Sequence, residues 1–287
     1  MKTRTITGNM KLKEIRKNTA KLLSEKGIEA SAFETDVILQ TVLELDKTQL
    51  IMKLETEISV HETEKISTVV SKRIEGYPLQ YIVGSWEFYG REFSVGEGVL
   101  IPRADTETLI DTVKKLSVKN PTVVDLCSGS GCIAITLEKE TDAKTYALEK
   151  SKKAFEFLKK NIVLNDSKVI PVLCDVLDEK SLSCVLQADL VVSNPPYIKT
   201  DEIKNLSKEV GFEPEMALDG DSDGLKFYRG ITRLWKDKIK NGGYLVYEIG
   251  YTQAQEVSGI LAENGFVNIT TVLDVAKNPR VVYAQKP

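Results

Sequence analysis

The chain has a single histidine, His61, and only four cysteines in 287 residues: Cys127, Cys132, Cys174 and Cys184. No two of the cysteines form a CxxC pair and His61 is remote from all of them, which excludes a zinc site of the usual spacing, so no metal is expected. So few cysteines in so long a chain also exclude a disulfide-stapled secreted scaffold and point to a reducing compartment. Cys127 and Cys132 are expected to pack as small apolar residues. Long apolar runs are missing, so no segment reads as a bilayer-spanning helix, and Met1–Met10 lacks the apolar centre of a secretory signal. A cytoplasmic protein is expected. Excess positive charge is missing as well. The 39 Lys and Arg against 42 Asp and Glu leave a net charge of -3, the wrong sign for a surface built to neutralise nucleic-acid phosphates, although a local basic face is compatible with that total.

What is present is ordinary globular material, 42% hydrophobic and 28% charged, in a chain longer than one compact domain usually is. Residues 10–75 carry apolar positions at helical spacing: Leu12, Ile15, Ala20, Leu22 and Leu23, then Val37, Ile38, Val42 and Leu45. Ser31 with Glu34, and Ser59 with Glu62, have the spacing of capping boxes, so several helices are expected to start here. The 13 basic and 12 acidic residues of Met1–Glu75 exclude a basic nucleic-acid arm and suggest a small helical bundle for docking a protein. Met10 is a second methionine, so Met1–Asn9 precede an alternative start. Aromatics and glycines between residues 76 and 100 (Tyr77, Tyr81, Trp86, Phe88, Tyr89, Phe93, Gly84, Gly90) predict a β-hairpin linker.

From residue 101 the pattern becomes α/β. Strands are predicted at Thr122–Leu126, Lys144–Leu148, Val169–Cys174, Leu190–Ser193, Gly243–Ile249, Val267–Leu273 and Arg280–Gln285. Helices are predicted from Cys132, over Lys152–Leu164, near Leu225–Lys238 and over Gln253–Asn264. This is a doubly wound, mostly parallel sheet of seven strands. Its last pair reads as a hairpin, so the final strand should run antiparallel.

Three segments carry chemistry. Asp125-Leu126-Cys127-Ser128-Gly129-Ser130-Gly131 follows the first strand of this series and opens a helix. Its glycines allow close backbone approach to a ligand, and the helix N-terminus presents free N–H groups. An ordinary strand-to-helix turn would explain the glycines alone. Glu149, however, ends the next strand, where a carboxylate accepts from both ribose hydroxyls. With no third glycine of the dinucleotide pattern and no second nucleotide motif, the pair points to a smaller adenosyl cofactor. Asp175 ends the third strand as a candidate acceptor for an adenine amino group, with Val176 offering N–H and apolar contact. Asn194-Pro195-Pro196-Tyr197 then follows the fourth strand, whose tip should lie beside the first at the switch point of the sheet. Two prolines donate no N–H, so this backbone offers acceptor carbonyls of fixed direction. Asn194 Oδ1 and the Pro195 carbonyl suit the two hydrogens of a planar –NH2 group, with Tyr197 as a flat apolar wall.

These residues resemble one family closely: the PrmC/HemK protein-(glutamine-N5) methyltransferases that modify peptide chain release factors. The resemblance also takes in Gly76-Tyr77-Pro78-Leu79-Gln80-Tyr81-Ile82, Glu87-Phe88-Tyr89-Gly90, Val99-Leu100-Ile101-Pro102-Arg103, Glu213-Pro214, Ala217-Leu218, Asp223-Gly224-Leu225, Tyr228-Arg229 and Glu248-Ile249-Gly250. It implies a Rossmann-like class I S-adenosylmethionine methyltransferase, monomeric, acting on the glutamine of a release factor's Gly-Gly-Gln loop, with S-adenosylhomocysteine as product. Cofactor residues would be Asp125, Cys127, Ser128, Gly129, Ser130, Gly131, Glu149, Asp175, Val176 and Asn194; Asn194, Pro195, Pro196 and Tyr197 would be catalytic. The chain departs from the family pattern at Cys127, where glycine is frequent, at Glu149, where aspartate is usual, and at Ala104-Asp105, where Pro-Glu or Pro-Asp is usual. The competing readings are a nucleic-acid adenine-N6 methyltransferase, which binds the same kind of conjugated –NH2, and a non-catalytic adaptor for release factors. The acidic balance disfavours the first, and an intact Asn-Pro-Pro-Tyr disfavours the second.

Overall fold

The computed structural model describes residues 10–287; Met1–Asn9, the stretch before the second methionine, lies outside them. The described chain forms two compact units, residues 10–84 with 208–212, and residues 85–207 with 213–287.

The first unit is helical, as its periodicity predicts: α1 (Leu12–Glu25), α2 (Ser31–Leu43), α3 (Lys47–Met52), α4 (Val60–Ile74) and α5 (Leu79–Val83), with two-residue strands β1 (Met10–Lys11) and β2 (Glu57–Ile58) paired antiparallel. Leu12, Ile15, Leu23, Ile38, Leu39, Leu50, Ile66 and Val70 close its core. At roughly 1.5 to 3 kcal/mol for each buried aliphatic side chain, this burial drives the bundle together. Ser59 and Glu62 form the expected capping box at α4, and Asp46 with Gln49 forms another at α3 that the sequence reading missed. The box expected at Ser31 does not form. Ala30 precedes α2 without a side-chain cap, and Glu34 turns inward instead. There it accepts from Arg73 Nε at 2.5 Å and Nη2 at 3.1 Å. Arg73 also reaches Glu209 at 2.6 Å. A carboxylate 8% exposed beside a guanidinium 5% exposed gains more from that pair than from a solvent-facing cap.

In the second unit the expected hairpin is confined to β3 (Ser85–Phe88) and β4 (Arg91–Ser94), because the aromatic residues before it enter α5. Tyr89 and Gly90 turn it with φ of 51° and 72°, the left-handed pair that matches strand twist. There follow α6 (Glu107–Leu116), β5 (Thr122–Leu126), α7 (Cys132–Thr141), β6 (Lys144–Glu149), α8 (Lys152–Leu164), β7 (Ile170–Leu173), β8 (Ala188–Ser193), α9 (Thr200–Ile203), α10 (Lys226–Trp235), β9 (Ile239–Glu248), α11 (Ala254–Glu263), β10 (Val267–Leu273) and β11 (Pro279–Gln285). The sheet order is β10-β11-β9-β8-β5-β6-β7, and β11 alone runs against its neighbours. This is the predicted class I methyltransferase topology, with α6 as an addition that the sequence reading passed over.

Both faces of the sheet are covered, and period-two alternation sorts its residues. Val123, Leu190, Val192, Val246 and Val281 meet the α6, α7 and α8 side with Leu109, Ile133 and Leu158. Val124, Val191, Leu245, Tyr247 and Val282 meet the α10 and α11 side with Ile231, Trp235 and Leu261. The chain runs outward through β5, β6 and β7, then returns to place β8 on the other flank of β5. The carboxyl ends of β5 and β8 are therefore adjacent, with Leu126 opposite Ser193, and the crevice expected at a switch point opens above them.

Replacing Arg73 by alanine strands the buried Glu34 charge. We expect a loss of about 3 to 5 kcal/mol in the helical unit, read by amide exchange across α2 and α4 under increasing urea. Removing the more exposed Arg16, which pairs with Asp36, should cost less than about 1 kcal/mol.

Candidate active site

The turn after β5 is built by left-handed backbone at Cys127 (φ 62°), Gly129 (φ 56°) and Gly131 (φ 82°). Ser128 N–H donates to the Leu148 carbonyl at 3.0 Å and Gly131 N–H to the Ser128 carbonyl at 2.8 Å. Asp125 is wholly buried beneath the turn, where it accepts from Ser128 Oγ at 2.5 Å. Its Oδ1 has no protein partner. Burial, helped by the Glu149 charge, pushes this carboxyl up to about 7 against the Ser128 hydroxyl and the Ala134 N–H. A clamp that the sequence reading missed holds the turn from behind. Buried Asn161 donates to the Ser130 carbonyl at 2.9 Å and the Ser94 carbonyl at 3.0 Å, and accepts from Ser94 N–H at 2.6 Å. The two glycines do different work. A Cβ on Gly131 would lie 2.4 Å from Leu158 Cδ1, whereas one on Gly129 would meet nothing within 4 Å.

Above the turn lies a cavity of about 900 Å³, counting its open mouth. Cys127, Ser128, Gly129, Ser130, Glu149, Asp175, Val176, Asn194 and Pro196 line it. Asp125, Gly131, Pro195 and Tyr197 are placed behind that wall. Glu149, 8% exposed, accepts from Gly129 N–H at 2.8 Å and Ser151 N–H at 2.6 Å. Burial still outweighs these backbone donors and raises its carboxyl above the usual range. Burial would raise Asp175 too, but Lys150 at 2.7 Å and the Leu177 N–H hold it below the ordinary value.

Asn194 leaves the tip of β8, which is tied to β5 by Ser193 Oγ donating to the Leu126 carbonyl at 2.6 Å. Its Nδ2 lies 3.4 Å from Thr106 Oγ1. Tyr197 packs against Gly220, Gly224 and Gly250, and its carbonyl accepts from Gln253 Nε2 at 3.0 Å. Burial, reinforced by the Glu248 charge, pushes its phenol up to about 12. Tyr197 does not line the cavity, whose surface includes Val176, Met216 and Phe227.

Residues 98–103 also line the cavity. Buried Glu213 fixes this strap, accepting from Ile101 N–H at 3.1 Å and from the Arg103 guanidinium. Val99–Arg103 and Glu213-Pro214, motifs of the family resemblance, thus come together at the cavity. The donors and acceptors fit an adenosyl ligand: carboxylates at the end of β6 and just beyond β7, an open glycine turn after the neighbouring β5, and apolar surface alongside.

Comparison with known proteins agrees. Residues 14–84 match the family model for the PrmC N-terminal domain, and residues 103–210 match that for the methyltransferase small domain. The release factor glutamine methyltransferase of Fusobacterium nucleatum is 38% identical over 278 residues, 95% of this chain and 78% of that protein. The enzyme of the same name from Clostridium acetobutylicum is 38% identical over 280 residues, 96% of this chain and 98% of its own length. The chain belongs to the release factor glutamine methyltransferase family. Among solved structures, a methyltransferase from Pyrococcus furiosus superposes with a TM-score of 0.51 at 15% identity, over 69% of this chain and 90% of that one. At that identity the likeness speaks for the fold alone. As a member of the release factor glutamine methyltransferase family, the chain is an S-adenosylmethionine-dependent methyltransferase.

Two outcomes are expected from the turn. Gly131→Ala meets both a left-handed backbone and Leu158, so it should lower thermal stability by roughly 2 to 4 kcal/mol. Gly129→Ala should cost about 1 to 2 kcal/mol and act mainly by narrowing the cavity, read as weaker binding of S-adenosylhomocysteine in calorimetry. The second outcome concerns pH. Because the folded state raises the Asp125 carboxyl to about 7, its contribution to stability is full below the unfolded pKa and is lost as pH climbs through about 7. Melting temperature should fall between pH 5 and pH 8, and Asp125→Asn should flatten that fall.

Proposed function

We propose that this enzyme transfers a methyl group from S-adenosylmethionine to the side-chain amide nitrogen, N5, of the glutamine in the Gly-Gly-Gln motif of peptide chain release factors. The observation that carries the reading is that Asn194 and the Gly129 turn, at the tips of adjacent strands, line one cavity. Membership of the release factor glutamine methyltransferase family supports a release factor as the substrate.

When bound, S-adenosylmethionine supplies an electrophilic methyl group carried on a sulfonium. Glu149 would accept the ribose hydroxyls, Asp175 the adenine amino group, and Val176 would lie against the adenine ring. Asn194, on the same cavity, would also border the cofactor, and its Oδ1, together with the Pro195 carbonyl, would accept the two hydrogens of the glutamine –NH2. An amide nitrogen is a weak nucleophile because its lone pair is delocalised into the carbonyl. Alignment in a fixed site must therefore supply much of the rate, worth roughly 7 to 11 kcal/mol of barrier. As the nitrogen–methyl bond forms and the methyl–sulfur bond breaks, the nitrogen gains positive charge, and the two acceptors stabilise it until one proton passes to solvent water. Pro196 closes the cavity floor, and Tyr197, behind it, holds the loop against Gly220 and Gly250. The helical unit would dock the release factor, with the enzyme working as a monomer in the cytoplasm. Its match to an N-terminal domain of this family supports that role. Among the described residues no helix is long and apolar enough to cross a membrane.

Purified enzyme with labelled cofactor should label intact release factor and leave unlabelled a factor whose motif glutamine is replaced. Label found only in DNA or RNA would overturn the reading in favour of an adenine methyltransferase. Asn194→Ala should cut turnover by about a hundredfold or more while calorimetric binding of S-adenosylhomocysteine persists. Glu149→Ala should do the reverse, weakening that binding by roughly tenfold for the loss of charge-assisted hydrogen bonds.

A further inference from the structure

Asn194 has a buried acidic neighbour at the end of β9. β8 and β9 run parallel with Ser193 opposite Tyr247, so the next residues of the two strands, Asn194 and Glu248, emerge side by side. Glu248 is 2% exposed, and its backbone carbonyl accepts from Tyr228 Oη at 3.0 Å. Its Oε2 is buried and has no hydrogen-bond partner. Thr106 Oγ1 and the Asn194 amide both face the carboxylate and favour its charged form, and the same two groups approach each other at 3.4 Å.

An asparagine amide is nearly isosteric end to end, so its partners decide which atom faces a ligand. An ionised carboxylate can only accept, and the group opposite it must donate. We propose that Glu248 is a positioning residue for methyl transfer: its carboxylate takes the Asn194 Nδ2 hydrogens and so turns Asn194 Oδ1 toward the substrate amide. The inference rests on the reading of Asn194 as the amide acceptor. A neutral Glu248 would itself carry a donor. Asn194 would then be free to flip, setting its own NH2 against the substrate NH2.

The surroundings place this change near neutrality. Burial, and to a lesser degree Asp105 on the turn before α6, push the Glu248 carboxyl up to about 7; Thr106, Arg280 on β11 and Asn194 oppose them. Tyr197 from the loop after β8 and Tyr228 from α10 also face it, both neutral with raised phenols. Arg280 is shared with Asp105 at 3.0 Å and Asp274 at 3.2 Å, so it does not neutralise Glu248 alone.

The test is turnover of intact release factor by the full chain, measured from pH 6 to 9 for wild type, E248Q and E248D. Wild-type kcat should rise through a limb near 7. E248Q should lower kcat by about tenfold to a hundredfold and lose the limb, with KM for the factor and affinity for S-adenosylhomocysteine held within about twofold. E248D, which keeps the charge on a shorter stem, should recover part of kcat and retain a limb. E248Q with wild-type kcat and an unchanged limb would overturn the proposal. So would an E248Q or E248D that loses S-adenosylhomocysteine binding together with turnover, since that assigns Glu248 to the fold. If wild type labels the factor and Asn194→Ala does not, either result sinks the Glu248 inference alone. A wild type that leaves the factor unlabelled sinks the substrate reading as well.

Discussion

The parallel pairing of β5 with β8 is the constraint on which the rest of the molecule depends. Each strand ends in a segment with its own chemistry, a glycine turn on one and Asn-Pro-Pro-Tyr on the other. Because Leu126 stands opposite Ser193 and Ser193 Oγ bonds the Leu126 carbonyl, the two segments open onto one cavity. A slip of one residue in register would turn every side chain of β8 to the other face, sending Val191 and Val192 to the wrong layers. The apolar burial that stabilises the sheet therefore also fixes the distance between cofactor turn and acceptor motif.

That arrangement concentrates acid at one end of the sheet. Asp125, Glu149 and Glu248 are all buried there, and burial raises each of them. None is matched by a fully committed cation: Arg280 is divided between Asp105 and Asp274, and Arg103 is held by Glu213. Backbone N–H groups and hydroxyls do most of the holding. Such donors fix direction without adding charge, so this end of the sheet keeps the acidic character that the proposed transfer, with its cationic cofactor, calls for.

Much of this was legible in the sequence, and the exceptions share a cause. Strands β5 and β10 and helix α8 span the residues expected of them, because β-branched runs bounded by turn residues and a helical period are local signals. The switch point follows from strand order alone. What escaped depends on pairs remote along the chain. Glu34 has capping-box spacing from Ser31, but Arg73, 39 residues on, claims it. Asn161 looks like one more polar residue on an amphipathic helix, and only folding brings Ser94 and Ser130 to it. Glu213 lies 110 residues from Arg103, and no local pattern shows that the two close a strap over the cavity. α6 is a different case: Leu109, Ile110 and Val113 are spaced as a buried helical face, a signal present in the sequence that was not read.

The departures from the family pattern show how such a site absorbs variation. Cys127 adopts φ of 62°, where an L-residue costs roughly 1 to 2 kcal/mol more than glycine. The turn tolerates it because Asp125, the Leu148 carbonyl and Asn161 hold the neighbouring residues from three directions. Burial and the nearby Glu149 charge keep its thiol protonated, so the side chain adds bulk to the wall and no charge. Glu149 has one methylene more than aspartate, yet two backbone donors, from Gly129 and Ser151, fix both of its oxygens. The extra reach is taken up by anchoring to the turn itself. Position at both residues is therefore set by the backbone around them, through the left-handed turn at Cys127 and the two N–H donors to Glu149.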